Sequence, residues 1–129
     1  MASAKNRPLS PHLQIWRWGP AMLVSILHRV SGDGLALVGL AVLVWWLGAL
    51  AGGEESYVFF LRHMKEWYGQ VLLVGLSWAF FNHMCSGIRH FVLDIGAGFE
   101  LKNNAMWSAL TPIVAIVLTI AAWAAVLYR

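Results

Sequence analysis

Apolar residues in this chain fall into long runs rather than stripes or alternations. The first run is centred on Gly34–Ala51, reads LALVGLAVLVWWLGALA from Leu35, and extends back toward Ala21. The second runs from Gly69 to Ile88, the third from Ala105 to Tyr128. Each approaches or exceeds the roughly 20 residues that cross a bilayer as a helix. Lipid offers no partner to a free backbone donor or acceptor, so all three are predicted to be transmembrane α-helices. Barrel strands are excluded by the length of the runs and their lack of alternation. The fold class is an all-α membrane protein of three transmembrane helices.

The interruptions carry as much information. Pro8, Pro11 and Pro20 break up the start of the chain. Gly19-Pro20 predicts a turn with proline at the first helical position. Residues 1–20 therefore form an amphipathic N-terminal interfacial segment, and residues 21–129 a three-helix transmembrane anchor domain. Between the first two runs lies GGEESYVFFLRHMKEWYG. Its Tyr57, Phe60, Leu61, Met64, Trp67 and Tyr68 recur at helical spacing, which predicts a short amphipathic helix in the interface. Pro112 lies inside the third run, where neighbouring helices tolerate it with a mild kink. Gly48-x-x-x-Gly52 and Ala121-x-x-x-Ala125 permit close helix approach, a pattern too common to carry weight.

Composition sharpens the class. Hydrophobic residues make up 60% of the 129 and charged residues 12%, against about half and a quarter in soluble domains. A formal charge of +3 is too small and too scattered for a nucleic-acid footprint. The single cysteine, Cys85, rules out an intrachain disulfide. The first residues show no apolar signal-peptide core, so the chain reads as a bacterial multi-pass protein inserted in the cytoplasmic membrane by its own helices. Lys5, Arg7, Arg17 and Arg29 at the N-terminal side, with Arg89 and Lys102 between the second and third spans, outweigh Arg62, Lys65 and Arg129. The positive-inside rule then places the N-terminus in the cytoplasm.

On that topology two polar clusters meet at one depth. Ser25, His28 and Arg29 occupy the first turns of span one; His83, Arg89, His90 and Asp94 occupy the inner half of span two. Span three contributes no counterpart. Ser25, Arg29 and Asp33 recur every four residues on one face, and Asp33 is expected to pair with Arg29. An arginine at a helix centre costs about 2.5–3.5 kcal/mol on insertion scales, so it needs a partner or an aqueous route. His83 and His90 are two turns apart on one face. His83 lies deep among Phe80, Phe81 and Met84, where its imidazole needs a partner. Haem ligation and a satisfied structural histidine both meet that need. Arg29 snorkelling to phosphates, Ser25 bonded to backbone, and Arg89 and His90 at the interface are the plainer readings of the others. No phosphate loop, CxxC or HExxH cluster, or nucleophile triad is present.

RPLSPHLQIW at 7–16, SILHRVSG at 25–32 and HMCSGIRHFVLDIG at 83–96 together resemble the cytochrome b556 subunits of succinate dehydrogenase, the larger membrane anchors of respiratory complex II. The resemblance covers nearly the whole chain. It implies that Ser25 and Arg29 lie at the quinone-binding site where ubiquinone is reduced. It implies that His83 is an axial ligand of haem b, and that His28 and Arg29 contact the haem propionates. The haem is then shared with a second, smaller membrane-anchor subunit supplying the other ligand, and electrons arrive from a flavoprotein subunit through an iron–sulfur subunit. Asp33 stands where the family pattern leads one to expect an apolar residue. An anchor of a related fumarate reductase is the nearest alternative. A small proton-conducting or purely structural membrane protein with a buried Arg29–Asp33 pair is the other.

Overall fold

A computed structural model describes residues 17–128. Pro8, Pro11, Lys5 and Arg7, with most of the predicted N-terminal interfacial segment, and Arg129 fall outside that range. Four helices follow in order: α1 (Pro20–Ala51), α2 (Glu54–Lys65), α3 (Trp67–Asp94) and α4 (Leu101–Leu127). Among the described residues, α1, α3 and α4 are the three helices long and apolar enough to cross a membrane. α1 packs on both α3 and α4, α3 packs on α4, and α2 bridges the far end of α1 to the start of α3.

Local chemistry sets the boundaries. Gly19 takes an extended conformation (φ −122°, ψ 162°) and Pro20 opens α1 as expected, its missing N–H falling where no intrahelical partner exists. α1 is not uniform. Leu35–Gly39 forms a π-helical turn in which the Leu40 N–H reaches the Leu35 carbonyl five residues back. One such turn inserts a residue and re-phases the face beyond it, and it directly follows the 25–34 motif.

α2 carries Glu54 and Glu55 in its first turn and Arg62, His63 and Lys65 in its last, matching both ends of its dipole. It ends at Glu66, whose ψ of 156° is extended. The predicted apolar face is thereby split: Phe60 and Met64 are buried with Ala49 against Tyr57, Leu61 and Leu73, whereas Trp67 and Tyr68 belong to α3 and are exposed. The Gln70 amide donates to the Met64 carbonyl (2.7 Å), satisfying one orphan acceptor at the α2 end. At the other end of α3, the Ala97 N–H reaches the Val92 carbonyl and the Gly96 N–H the Leu93 carbonyl, with Gly96 at φ 83°. This is a Schellman stop, and it needs a residue free of Cβ strain.

The interface between helices is made of small and polar residues. Ser31, Asn82, Ser86, Ser108, Thr111 and Thr119 are buried, with Val24, Ala79 and Ala115. Ser108 and Thr111 donate to the carbonyls four residues back, the second just before Pro112, and α4 continues through that proline. Toward the other end the Trp123 indole donates to the Ser77 hydroxyl (3.2 Å). Small side chains let helices approach, and hydroxyls bonded to their own backbone add no unpaired donor; among the described residues the buried Ser86 hydroxyl is the one without a partner.

Candidate functional site

Because α1 and α3 run antiparallel, the first turns of α1 face the last turns of α3. The two polar segments thus meet, as the sequence predicts. The His28 and His83 rings stack with centroids 4.0 Å apart and planes 9° from parallel. The His90 ring lies 5.2 Å from that of His28.

The strongest constraint falls on His83. Its Nδ1 lies 3.1 Å from the His28 carbonyl oxygen. A carbonyl only accepts, so Nδ1 carries the proton and donates. In the neutral ring Nε2 is then the unprotonated nitrogen, and it makes no hydrogen bond within the described residues. The same carbonyl accepts from the Ser31 hydroxyl at 3.0 Å. One residue before His83, the Asn82 amide donates to the Ser31 hydroxyl (3.2 Å) and the Leu27 carbonyl (3.3 Å). The buried Asn82 therefore fixes α3 to α1 at the level of the histidine pair. The atoms nearest a Cβ placed on Gly32 would be those of the His83 ring, with Cε1 at 2.7 Å and Nδ1 at 3.0 Å.

This donor set fits an imidazole ligand to haem iron. Metal-binding histidines commonly donate the second ring N–H to a carbonyl, which fixes the tautomer and raises ligand basicity. Among the described residues no group of three or more His, Cys, Asp or Glu side chains is placed to hold a metal ion by itself. His28 Nδ1 is buried with no hydrogen-bond partner.

Ser25 and Arg29 do not join the histidine cluster. Both are exposed, one turn apart on α1, and neither forms a hydrogen bond or ion pair within the described residues. The expected Arg29–Asp33 pair is likewise not formed, and Asp33 is exposed too. The order of charges explains this in part. An acid four residues before a base is the favourable arrangement on a helix, and here the base comes first.

α4 does contribute to this end of the bundle, contrary to the expectation that span three has no counterpart. The Arg89 guanidinium donates to the Asn104 side-chain oxygen. The pair borders a largely apolar cavity of about 480 Å³ between α3 and α4, lined also by Cys85, Trp107 and Thr111. Arg89 Nε remains buried without a partner. Sequence reasoning missed Gly32, Ser31, Asn82 and Asn104. Only the glycine in the S-x-x-H-R-x-S-G pattern offered a hint, because a helix-interior glycine has a reason, and close approach is the common one.

Fold and site define a class: a three-span helical membrane protein with paired histidines at one end of its bundle. The family model for succinate dehydrogenase/fumarate reductase transmembrane subunits matches residues 3–122, and the chain belongs to that family. It is 36% identical over 98 residues to the succinate dehydrogenase cytochrome b556 subunit of Paracoccus denitrificans, covering 76% of this chain and 75% of the relative. It is 36% identical over 118 residues to the subunit of that name from Rickettsia felis, covering 92% and 91%. A mitochondrial relative, the cytochrome b560 subunit of Mus musculus, is 35% identical over 109 residues, covering 78% and 60%. This chain is a multi-pass membrane-anchor subunit of the succinate dehydrogenase type. The Arg29–Asp33 pair that would have fitted the non-redox alternative is not formed, and both side chains are exposed.

Proposed function

We propose that this chain binds haem b through His83 and forms part of the site at which a succinate dehydrogenase reduces ubiquinone. The observation that carries the reading is the 3.1 Å contact of His83 Nδ1 with the His28 carbonyl, which in the neutral ring leaves Nε2 as the nitrogen free to bind iron. Bound haem supplies a one-electron store beside the quinone. The chain's own residues do the rest. His83 offers Nε2 to iron. His28 and Arg29 carry the donors and charge that suit haem propionates. Ser25 and Arg29 bind and orient the quinone carbonyl, and the Arg29 cation stabilises the negative charge that gathers there on reduction. A second, smaller anchor subunit would bring the other haem ligand, and an iron–sulfur subunit on the cytoplasmic face would pass electrons from the flavoprotein.

The test is a reduced-minus-oxidised spectrum of the gently solubilised complex. His83→Leu is expected to abolish or strongly alter the low-spin b-type signal. His63→Leu, at a ring bonded to the Phe59 carbonyl at the far end of the bundle, leaves it intact. A normal spectrum in an assembled His83→Leu complex would refute ligation by this residue. The family also includes fumarate reductase subunits, so the reverse direction is the second reading. Turnover with ubiquinone against menaquinone analogues separates the two.

A further inference from the structure

The His83 ring is held from three sides, and one of them is an absence of atoms. The His28 carbonyl takes the Nδ1 proton at 3.1 Å, and the His28 ring lies parallel to one face at 4.0 Å. On the remaining edge stands the Gly32 backbone. All three of the nearest heavy atoms to a Cβ on Gly32 belong to the His83 ring: Cε1 at 2.7 Å, Nδ1 at 3.0 Å and Nε2 at 3.7 Å. Other glycines nearby are not built this way. A Cβ on Gly34 or Gly87 meets nothing within 4 Å.

We infer that Gly32 is a positioning residue for haem ligation: the space of its missing Cβ seats the imidazole edge, and so fixes both the His83–His28 hydrogen bond and the direction of Nε2. The inference rests on His83 being the ligand. Cε1 lies between the two ring nitrogens, so a group pressing on Cε1 swings Nε2 and strains the Nδ1–H bond together. The atoms in the way are the far end of a side chain with two free torsions, not backbone. Helix packing therefore survives an added methyl, and the ring gives way. Asn82 sharpens the effect. Its amide ties α3 to Ser31 and Leu27, on either side of His28, so the helix cannot drift to relieve the ring. A ligand that loses its Nδ1–H bond becomes a weaker donor to iron, which favours the reduced metal.

The experiment compares Gly32→Ala with Gly34→Ala and the parent in the intact, purified complex. Gly32→Ala is expected to assemble with its flavoprotein, shift the low-spin haem g-values as the imidazole plane turns, and raise the haem midpoint potential. Gly34→Ala is expected to match the parent in both. Parent-like g-values and potential in Gly32→Ala overturn the inference while leaving ligation by His83 standing, since that is judged separately by His83→Leu. If Gly32→Ala does not assemble, Gly32→Ala is made in a His83→Ala background. Assembly equal to that of His83→Ala alone supports the proposal, because removing the ring removes the only clash. Failure of the double variant alone places the conflict elsewhere and overturns it.

Discussion

Ser25 and Arg29 stand one helical turn apart on α1, both exposed and without a hydrogen bond among the described residues. A quinone carbonyl gains negative charge as it is reduced, and a cation with a hydroxyl donor beside it favours the reduced form. A hydrogen bond to a charged group contributes about 1.5–3 kcal/mol. If that is expressed in the transition state, losing it slows turnover by about ten- to a hundredfold. Ser25→Ala and Arg29→Leu are accordingly expected to depress succinate-to-quinone activity and to spare succinate oxidation by a dye that takes electrons upstream. Both rates are measured on the same membranes and normalised to assembled flavoprotein; a parallel fall would assign the residues to assembly instead. Arg29→Leu should also perturb the haem spectrum, and Ser25→Ala should not. At this scale the sequence exposed the charged and aromatic members of the site. His83 and His90, seven apart, do share the face toward His28. The residues that hold them were not legible. Ser31 and Asn82 look like ordinary helix-packing residues until the bonds between helices are seen, and the role of Gly32 depends on which side chain opposes it. The Arg29–Asp33 pair failed for a simple reason: four-residue spacing puts two charges within reach, but reach is not geometry.

At the scale of elements, apolar length was enough to find all three spans, because a membrane leaves a long apolar run no other backbone solution. What length does not encode is where a helix changes its hydrogen-bond step. The π-helical turn at Leu35–Gly39 lies in a run of leucine, alanine, valine and glycine with no distinguishing residue. The corner between α2 and α3 was misjudged by continuing one period through Glu66, whose extended backbone ends it. That corner depends on Gly69. A Cβ there would sit 2.2 Å from the His63 carbonyl oxygen and 2.6 Å from Met64 Cα. These are backbone atoms, so no rotamer relieves the clash and α2 must move. Overpacking of this kind costs about 1–3 kcal/mol. Gly69→Ala is therefore expected to shorten the thermal half-life of the detergent-solubilised complex, with the b-type spectrum unchanged before inactivation, because the corner lies at the opposite end of the bundle from His83. Gly75→Ala, where a Cβ meets nothing within 4 Å, provides the neutral comparison. Equal half-lives for the two variants would show that the corner accommodates a methyl.

For the whole molecule, the distribution of polar atoms is lopsided. The end holding His28, His83, His90 and the Arg89–Asn104 pair also carries Arg29 and Asp33 on an open face of a membrane-spanning helix. The other end is closed by α2 over Ala49 and Leu73. A charge facing lipid is unfavourable by about 2.5–3.5 kcal/mol near a helix centre, and less toward the interface. The lopsided arrangement is thus consistent with a chain whose histidine end lies near a membrane surface and meets other subunits there. Which surface follows from the cations. Arg17 and Arg29 lead into α1, and Arg89 and Lys102 flank the turn between α3 and α4, whereas Arg62 and Lys65 accompany α2. The positive-inside rule counts residues close to span ends in short loops such as these, and it predicts that the histidine end faces the cytoplasm. Three spans then carry the C-terminus to the opposite side. A reporter fused after Arg129 that is active only in the cytoplasm is expected to stay silent, and one active only after export to give full signal. The same pair fused in the turn after Asp94 should give the reverse. Strong cytoplasmic activity at the C-terminus together with export activity at the turn would invert the topology. The residues proposed to bind quinone and haem would then face away from the cytoplasmic surface proposed for the iron–sulfur subunit.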